Sequence, residues 1–461
     1  MPANSPVPIP PLFLERMKNF LGDEFPVFAE SLNGIPKSGL RVNTLKLTPE
    51  QFKALSLFSL GENVPWCPSA FTLDGEDRPG LHPYHLAGLY YMQDPSAMSP
   101  AELLAPQPGE RVLDLAAAPG GKTTHLAALM KGEGLLVANE IKNKRVGHLA
   151  QNVERWGAGN VVVTNESPER LADHFGAYFD RVLVDAPCSG EGMFRKDMGA
   201  RADWSTEMVA GCATRQGNIL RVAAKLVRPG GYLLYSTCTF APEEDENVVA
   251  RLMEESGDFE VLPLPQFPGF MPGRPDWAES APQGLSGAVR LFPHRVIGEG
   301  HFVCLLQRKA GDEKERAWDA SPVRISKQFW PLWQAFLQEV VNVNLTGERL
   351  RVVGERLYYQ PENIPNLNGV HLIHPGIWIG TFKKERFEPA HPLALFLKPG
   401  EARSVLNLAA DSRELAAYLR GESIPTEVTG WTLVTVDGFG IGWGKGVQGI
   451  LKNHFPRGWM V

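Results

Sequence analysis

Residues 114–124 read Asp-Leu-Ala-Ala-Ala-Pro-Gly-Gly-Lys-Thr-Thr and lie between two apolar runs. What this turn holds decides how the rest of the chain is arranged. A phosphate-gripping P-loop needs two glycines five positions apart, the second followed by Lys and Ser or Thr. Gly121, Lys122 and Thr123 supply the end, but Ala116 stands where the first glycine belongs. Losing that glycine weakens the backbone nest of N–H groups that cradles phosphates. Downstream, RVLVDA (181–186) closes on Asp185 and imitates a Walker-B strand. The competing reading places a nucleoside cofactor at the carboxyl edge of an open sheet, with small residues admitting it to the backbone.

The surrounding pattern favours an open sheet. RVLDLA (111–116), LLVANE (135–140), VVVTN (161–165), RVLVDA and GYLLYSTC (231–238) read as buried strands, and HFVCLLQRK (301–309) as a late one. Helical stretches alternate with them at 122–130, 142–157 and 206–227. Apolar strands alternating with helices predict an α/β fold with a doubly wound sheet covered on both faces. Asp114 then ends the first strand. Glu140 ends the second, about 26 residues on, where a carboxylate can bind ribose hydroxyls. The cofactor-binding set is Asp114, Ala116, Ala117, Ala118, Pro119, Gly120, Gly121, Lys122, Glu140, Arg145 and Asp185.

At 461 residues, several domains are expected. The Pro- and Gly-rich segment 263–288 reads as a long loop, and the charged stretch 310–320 as a linker. Three units follow: 1–97, a helical start and a strand at 39–47; 98–310, the sheet; and 320–461, one clear helix (326–342) with short strands. No apolar run is long enough for a membrane span, and the proline-rich start lacks the features of a signal peptide. Five scattered cysteines, Cys67, Cys188, Cys212, Cys238 and Cys304, suggest neither a disulfide framework nor a metal site. A reducing cytoplasm suits them, and a monomer is expected. The net charge of −6 does not signal nucleic-acid binding, although a local basic face can act within an acidic protein.

Two of the cysteines sit just beyond strand ends, in Asp185-Ala-Pro-Cys-Ser-Gly190 and Ser236-Thr-Cys-Thr239. An isolated Cys is usually a small buried hydrophobe. Two thiols at the ligand-binding edge of one sheet ask for a chemical reason. The segments DLAAAPGGKT, NE, DAPCSGEG and YSTCT, in this order, resemble the Nop2/Sun family of S-adenosylmethionine-dependent RNA cytosine-C5 methyltransferases. LRVNTLK (40–46), HLAGLYYMQDPSAMSP (85–100) and RLFPHRVIGEGHF (290–302) extend the similarity. Residues 429–459 resemble the extra domain of the bacterial RsmF branch, which modifies small-subunit (16S) ribosomal RNA.

The resemblance implies a Rossmann-like methyltransferase core, an N-terminal α+β RNA-binding domain and a C-terminal PUA-like α+β domain. It implies Cys238 as the nucleophile adding to carbon 6 of cytosine, since carbon 5 reacts poorly until a thiolate makes the ring enamine-like. Cys188 would assist proton removal and release. Asp185 would bind the cytosine edge and stabilise charge at N3. Lys122 moves from phosphate to the reaction centre. Relatives carry an acid after the third strand to meet adenine; here that position is Ser167, beside Asn165 and Glu166.

For RNA, the candidates are Arg41 and Asn43 with Lys46 nearby, Arg195 and Lys196, and Gln93, Asp94 and Ser96 at the pocket. Lys383, Lys384, Arg386, Lys445, Lys452 and Arg457 are C-terminal candidates, aided by the basic–aromatic interleaving in WGKG and NHFPRGW. The target base must be turned outward, at a cost of a few kcal/mol. Within the class, transfer RNA or large-subunit rRNA are alternative substrates. Outside it stand an RNA-dependent P-loop ATPase, which demands magnesium-dependent ATP binding, and a non-catalytic assembly factor, which needs neither thiol.

Overall fold

The run Arg111–Asp114 (β1) lies in the middle of a ten-stranded sheet. The computed structural model describes residues 7–55, 58–74, 77–311, 325–345, 347–398 and 400–460. Helix α1 (Pro95–Leu104) precedes β1, and α2 (Gly121–Leu129), β2 (Leu135–Asn139), α3 (Asn143–Trp156) and β3 (Val161–Thr164) follow it. Then come α4 (Pro168–Phe175), β4 (Phe179–Asp185), α5 (Thr206–Ala224), β5 (Val227–Thr237), α6 (Glu246–Ser256) and β6 (His301–Arg308). Strands β1 to β5 are parallel, in the order β5-β4-β1-β2-β3, and β6 runs antiparallel beside β5.

The middle of each strand is apolar because it feeds two cores. Val112 packs on one face of the sheet and Leu113 on the other; Leu136 and Ala138 follow the first, Leu135 and Val137 the second. Helix α3 buries Val146, Leu149, Ala150, Val153 and Trp156, a stripe at helical spacing, and ends at Gly157 with φ +71°. The chain runs outward from β1 to β3, then returns to lay β4 on the other side of β1. That reversal opens a crevice at the carboxyl ends of β1 and β4, where Asp114 and Asp185 stand. The expected doubly wound core is present.

The first unit carries a four-stranded antiparallel sheet, with Ser38–Val42 as an inner strand between Cys67–Leu73 and Tyr90–Gln93. Its packing crosses the boundary expected at 97/98, because α1 spans that point and buries Met98, Ala101, Leu103 and Leu104 in the core shared with the central sheet. Of the linker expected at 310–320, the part from 312 on lies outside the described residues. Segment 263–288 is mostly irregular, as its prolines and glycines predict, with only Met271–Pro272 paired.

Beyond residue 325 are two further sheets, of four and five strands. The helix expected over 326–342 spans Trp330–Glu339 and buries Trp333 and Phe336. Helices His391–Phe396 and Arg413–Leu419 were not expected; each is too short to show a period in sequence. Leu372–His374, from this C-terminal half, pairs antiparallel with β3 and becomes the edge of the central sheet. No helix among the described residues is long and apolar enough to cross a membrane.

Arg41 and Asn43, expected at an RNA surface, have no exposed surface at all. The inner strand turns Arg41 toward the core. Its guanidinium donates to Gly121 O (3.0 Å), Thr124 Oγ1 (2.8 Å) and Gln93 Oε1 (3.1 Å), and it stacks 4.7 Å from the Trp156 ring. Burial lowers its pKa to about 10, which still leaves it cationic at neutral pH. Asn43 donates to the carbonyls of Gly88 and Trp156, both at 2.8 Å. Both residues clamp the N-terminal sheet onto the cofactor turn and α3. Arg41→Ala therefore should cost about 2–4 kcal/mol of stability, read as a thermal midpoint several degrees lower. An unchanged midpoint would remove the clamp role.

Candidate active site

The turn after β1 is held from three sides. Thr123 Oγ1 donates to Asp114 Oδ2 at 2.6 Å, Asn152 Nδ2 reaches Pro119 O at 2.8 Å, and Arg145 Nη2 donates to Ala118 O. Gly120, at φ +112°, makes the entry into α2, a conformation that side chains oppose. A Cβ on Gly121 would press to 3.3 Å from Tyr91, so the turn lies directly against the N-terminal sheet. Residues 116–119 and Gly121 line a cavity of about 240 Å³ with Asp114, Gln93, Asp94, Lys122 and Asp185. Tyr91, Met92 and Ala97, which the sequence reading did not single out, complete the lining.

Asp114 Oδ1 is buried beside this cavity and has no partner. Burial, and the nearby Asp185 and Glu140 carboxylates, push the Asp114 carboxyl up to about 7 against the Thr123 hydrogen bond. An unpaired acceptor in this place suits a ligand that brings a cation or hydrogen-bond donors. Glu140, also buried, accepts from Lys142 N (2.8 Å) and faces Arg145 at 3.5 Å. Arg145 thus braces both the turn and Glu140.

At the mouth of the crevice, Lys122 Nζ donates to Asp185 Oδ2 at 2.7 Å, and Ser236 Oγ donates to Oδ1 at 2.9 Å. Burial alone would raise the Asp185 carboxyl, but Lys122, His301 and Ser236 hold it below its usual range. Burial would also lower Lys122, but Asp185 and Cys238 keep it above its usual range. A lysine neutralised this closely is poorly placed to grip phosphates, and the Walker-B imitation is the acid that neutralises it. The sulfurs of Cys188 and Cys238 lie 3.2 Å apart, one from each neighbouring strand end. That contact and burial push the Cys188 thiol up. The register that pairs Asp185 with Ser236 brings them together.

Several expected RNA contacts turn inward instead. Ser96 is buried and donates to Glu299 O (2.7 Å). Arg195 donates to Glu299 and to Gly298 O, and Lys196 pairs with Asp94. These cations neutralise Glu299 and Asp94 and brace the loop before β6. Gln93 and Asp94 do face the cavity, though Gln93 also binds Arg41 and Asp94 caps α1. Ser167 caps α4, accepting from Arg170 N. Glu166 pairs with Arg170 and accepts from His371 N (2.8 Å), and so serves the C-terminal edge strand.

Lys445 and Lys452 lie far along the chain on the five-stranded sheet. They form a cross-strand row with Trp431, Lys445 sitting 5.7 Å from its ring. A groove beside this row takes in Arg386 and Ser404. Arg386 and Lys383 belong to a hairpin and pair with Glu388 and Glu355.

Sequence reading missed Ser236, His301 and Glu244. Ser236 and Glu244 flank Cys238, and the acidic run directly after YSTCT was the available signal. It also missed a buried set behind α2, where His125 Nε2 lies 2.9 Å from Glu102 Oε1 and 3.8 Å from Cys67 Sγ. The Arg41 cation acts on all three groups, which opposes a second cation there.

Residues 101–307 match the family described as 16S rRNA methyltransferase RsmB/F. Residues 9–95 match the N-terminal domain of 16S rRNA methyltransferase RsmF, 335–397 its first C-terminal domain, and 405–461 the methyltransferase RsmF PUA domain. The chain is 32% identical over 478 residues to the ribosomal RNA small subunit methyltransferase F of Vibrio vulnificus, covering 98% of each. It is 33% identical to that of Erwinia tasmaniensis, covering 99% of this chain and 98% of the relative. Among solved structures, a methyltransferase homolog from Pyrococcus horikoshii superposes with a TM-score of 0.58 at 31% identity. That match covers 64% of this chain and 94% of the other.

The raised Asp114 makes stability depend on pH. Between 3.8 and about 7 the folded chain keeps a proton that the unfolded chain has lost, so stability falls as pH rises through that window. Asp114→Asn removes this residue's share of the dependence, to which Glu154 and Glu244, also raised to about 7, contribute. Its thermal midpoint should exceed that of the parent by a few degrees at pH about 8.5, the gap narrowing to less than half near pH about 5 and closing near 3.8. Scanning calorimetry across this range checks it, and equal gaps at both ends would refute it.

Proposed function

The chain belongs to the 16S rRNA methyltransferase RsmB/F family, and from that membership we propose that it methylates carbon 5 of cytosine in small-subunit rRNA through a covalent adduct on Cys238. One observation carries the reading: two thiols 3.2 Å apart, from adjacent strand ends, beside the half-buried Lys122–Asp185 pair. Methylation at an oxygen or an exocyclic nitrogen gives no reason for either thiol.

The cofactor is S-adenosylmethionine, which supplies an electrophilic methyl group when bound. Asp114, with its unpaired Oδ1, the 116–121 turn and Glu140 would hold it, and Arg145 would steady the turn. The chain's own residues do the rest. The Cys238 thiolate adds to carbon 6, and the C5–C6 π pair moves toward C4 and N3. The ionised Asp185 carboxylate accepts from the cytosine edge and favours a proton at N3, so the charge of addition is not stranded on the ring. Lys122 keeps Asp185 ionised for that purpose. After carbon 5 has bonded to the methyl group, Cys188 as thiolate would accept the C5 proton and become the thiol; the electron pair restores the C5–C6 double bond, the S–C6 bond breaks and Cys238 leaves as thiolate.

RNA is held at Gln93 and Asp94 near the flipped base and at the Trp431–Lys445–Lys452 row farther away, where a base can stack beside cations. The PUA-type region agrees with this placement. The protein would act as a monomer in the cytoplasm, where its thiols stay reduced. Three units, 1–97, 98–310 and 320–461, would share the work, the middle one doing the chemistry.

Cys238→Ala should lower methyl transfer about a thousandfold or more while S-adenosylmethionine binding by calorimetry stays intact. Cys188→Ala should trap a protein–RNA adduct that survives a denaturing gel. Full activity in the first variant, or no adduct in the second, would overturn the assigned roles. Bisulfite sequencing of rRNA with and without the gene checks the substrate.

A further inference from the structure

The two thiols sit on separate loops, and their separation must be set by something outside either loop. Ser189 follows Cys188, and Thr239 follows Cys238. Both meet the carboxylate of Glu244, which has no exposed surface. Glu244 Oε2 accepts from Ser189 N (2.9 Å) and Gln216 Nε2 (2.8 Å). Oε1 accepts from the Ser189 hydroxyl and from Thr239 Oγ1 (3.4 Å), and the two hydroxyls touch each other at 2.9 Å. Gln216 also donates to Pro187 O (3.0 Å), so Cys188 is gripped on both sides.

Glu244 does not line the cavity beside the turn. Its side chain instead joins one cysteine loop to the other. A second tie runs parallel, from Gly192 N to Cys238 O (2.9 Å) and from Phe240 N to Glu191 Oε2 (3.1 Å). Together they leave each sulfur little freedom to drift. Four donors converge on Glu244, and an amide in its place would turn a donor of its own toward them. Burial, the largest influence, raises this carboxyl to about 7, opposed by Ser189 and Gln216.

We infer that Glu244 is a positioning residue that sets the distance between the two catalytic sulfurs by holding Ser189 and Thr239 on one carboxylate. This rests on the roles proposed above for Cys238 and Cys188. The nucleophile must leave while its neighbour helps remove the C5 proton, so a displaced Cys188 slows release more than addition. Misplacement by about 1 Å can cost about a hundredfold in rate.

Glu244→Gln keeps the shape and removes the charge. Expected is a kcat about 10- to 100-fold lower, with the RNA KM and S-adenosylmethionine affinity within about threefold of the parent. The denaturation-resistant protein–RNA adduct should also accumulate, as with Cys188→Ala, and Glu244→Asp should restore part of kcat. A purely structural acid would lower cofactor binding and folded fraction together and leave no adduct. If Glu244→Gln fails to fold, Ser189→Ala and Thr239→Val remove one hydroxyl from each loop. Each should lower kcat about 3- to 10-fold, and the pair should combine non-additively. A kcat within twofold of the parent, or loss of rate without adduct, would overturn the positioning role. Absence of adduct in Cys188→Ala as well would instead overturn the covalent mechanism itself.

Discussion

The contact between Lys122 and Asp185 organises this molecule. It joins the start of α2 to the end of β4 across the place where the sheet reverses direction, at 2.7 Å and largely out of solvent. Burying two charges is costly, and only close geometry with further hydrogen bonds offsets that cost. Ser236 supplies one such bond. Removing either partner would leave a half-buried charge without its counter-ion. The pair also sets the chemistry of the crevice. It neutralises the lysine that a nucleotide phosphate would need, and it leaves an ionised acceptor beside two thiols.

The parts added to the core serve this crevice through contacts of the same kind. From the N-terminal sheet, Arg41 reaches the carbonyl of Gly121 and the hydroxyl of Thr124, at the base of the turn. From the C-terminal half, Leu372–His374 extends the sheet beyond β3, and His371 N occupies Glu166. The additions are therefore structural extensions of the catalytic unit as well as candidate RNA-holding regions. Arg41, Arg195 and Lys196 bridge or neutralise internal groups. On the five-stranded sheet, the Trp431–Lys445–Lys452 row places two cations and an aromatic ring on one sheet face.

Much of the core was readable in the chain alone. Strands that face two cores must be apolar throughout, helices that face one must repeat near 3.6 residues, and both patterns are local. They placed β1 to β6, the long helices α3 and α5, and the crevice at the carboxyl ends of the strands. The spacing of Asp114, Lys122, Glu140, Asp185, Cys188 and Cys238 along those elements followed from the same patterns. Short helices such as His391–Phe396 offered too few turns to be recognised.

Side-chain partners were a different matter. Whether an arginine meets RNA or a buried carbonyl depends on groups that arrive from distant sequence: Gly121 for Arg41, Glu299 for Arg195. Local pattern carries no record of them, and a long cationic side chain is equally at home on a surface or folded back over an acid. The sequence by itself determined the sheet, the turn and the two thiols at neighbouring strand ends, because each follows from residue order within one element. Only the tertiary structure decided that Lys122 would bind Asp185, that Arg41 would turn inward and that Glu244 would join both cysteine loops. These are choices of partner, settled by which buried donors and acceptors the folded chain had to satisfy.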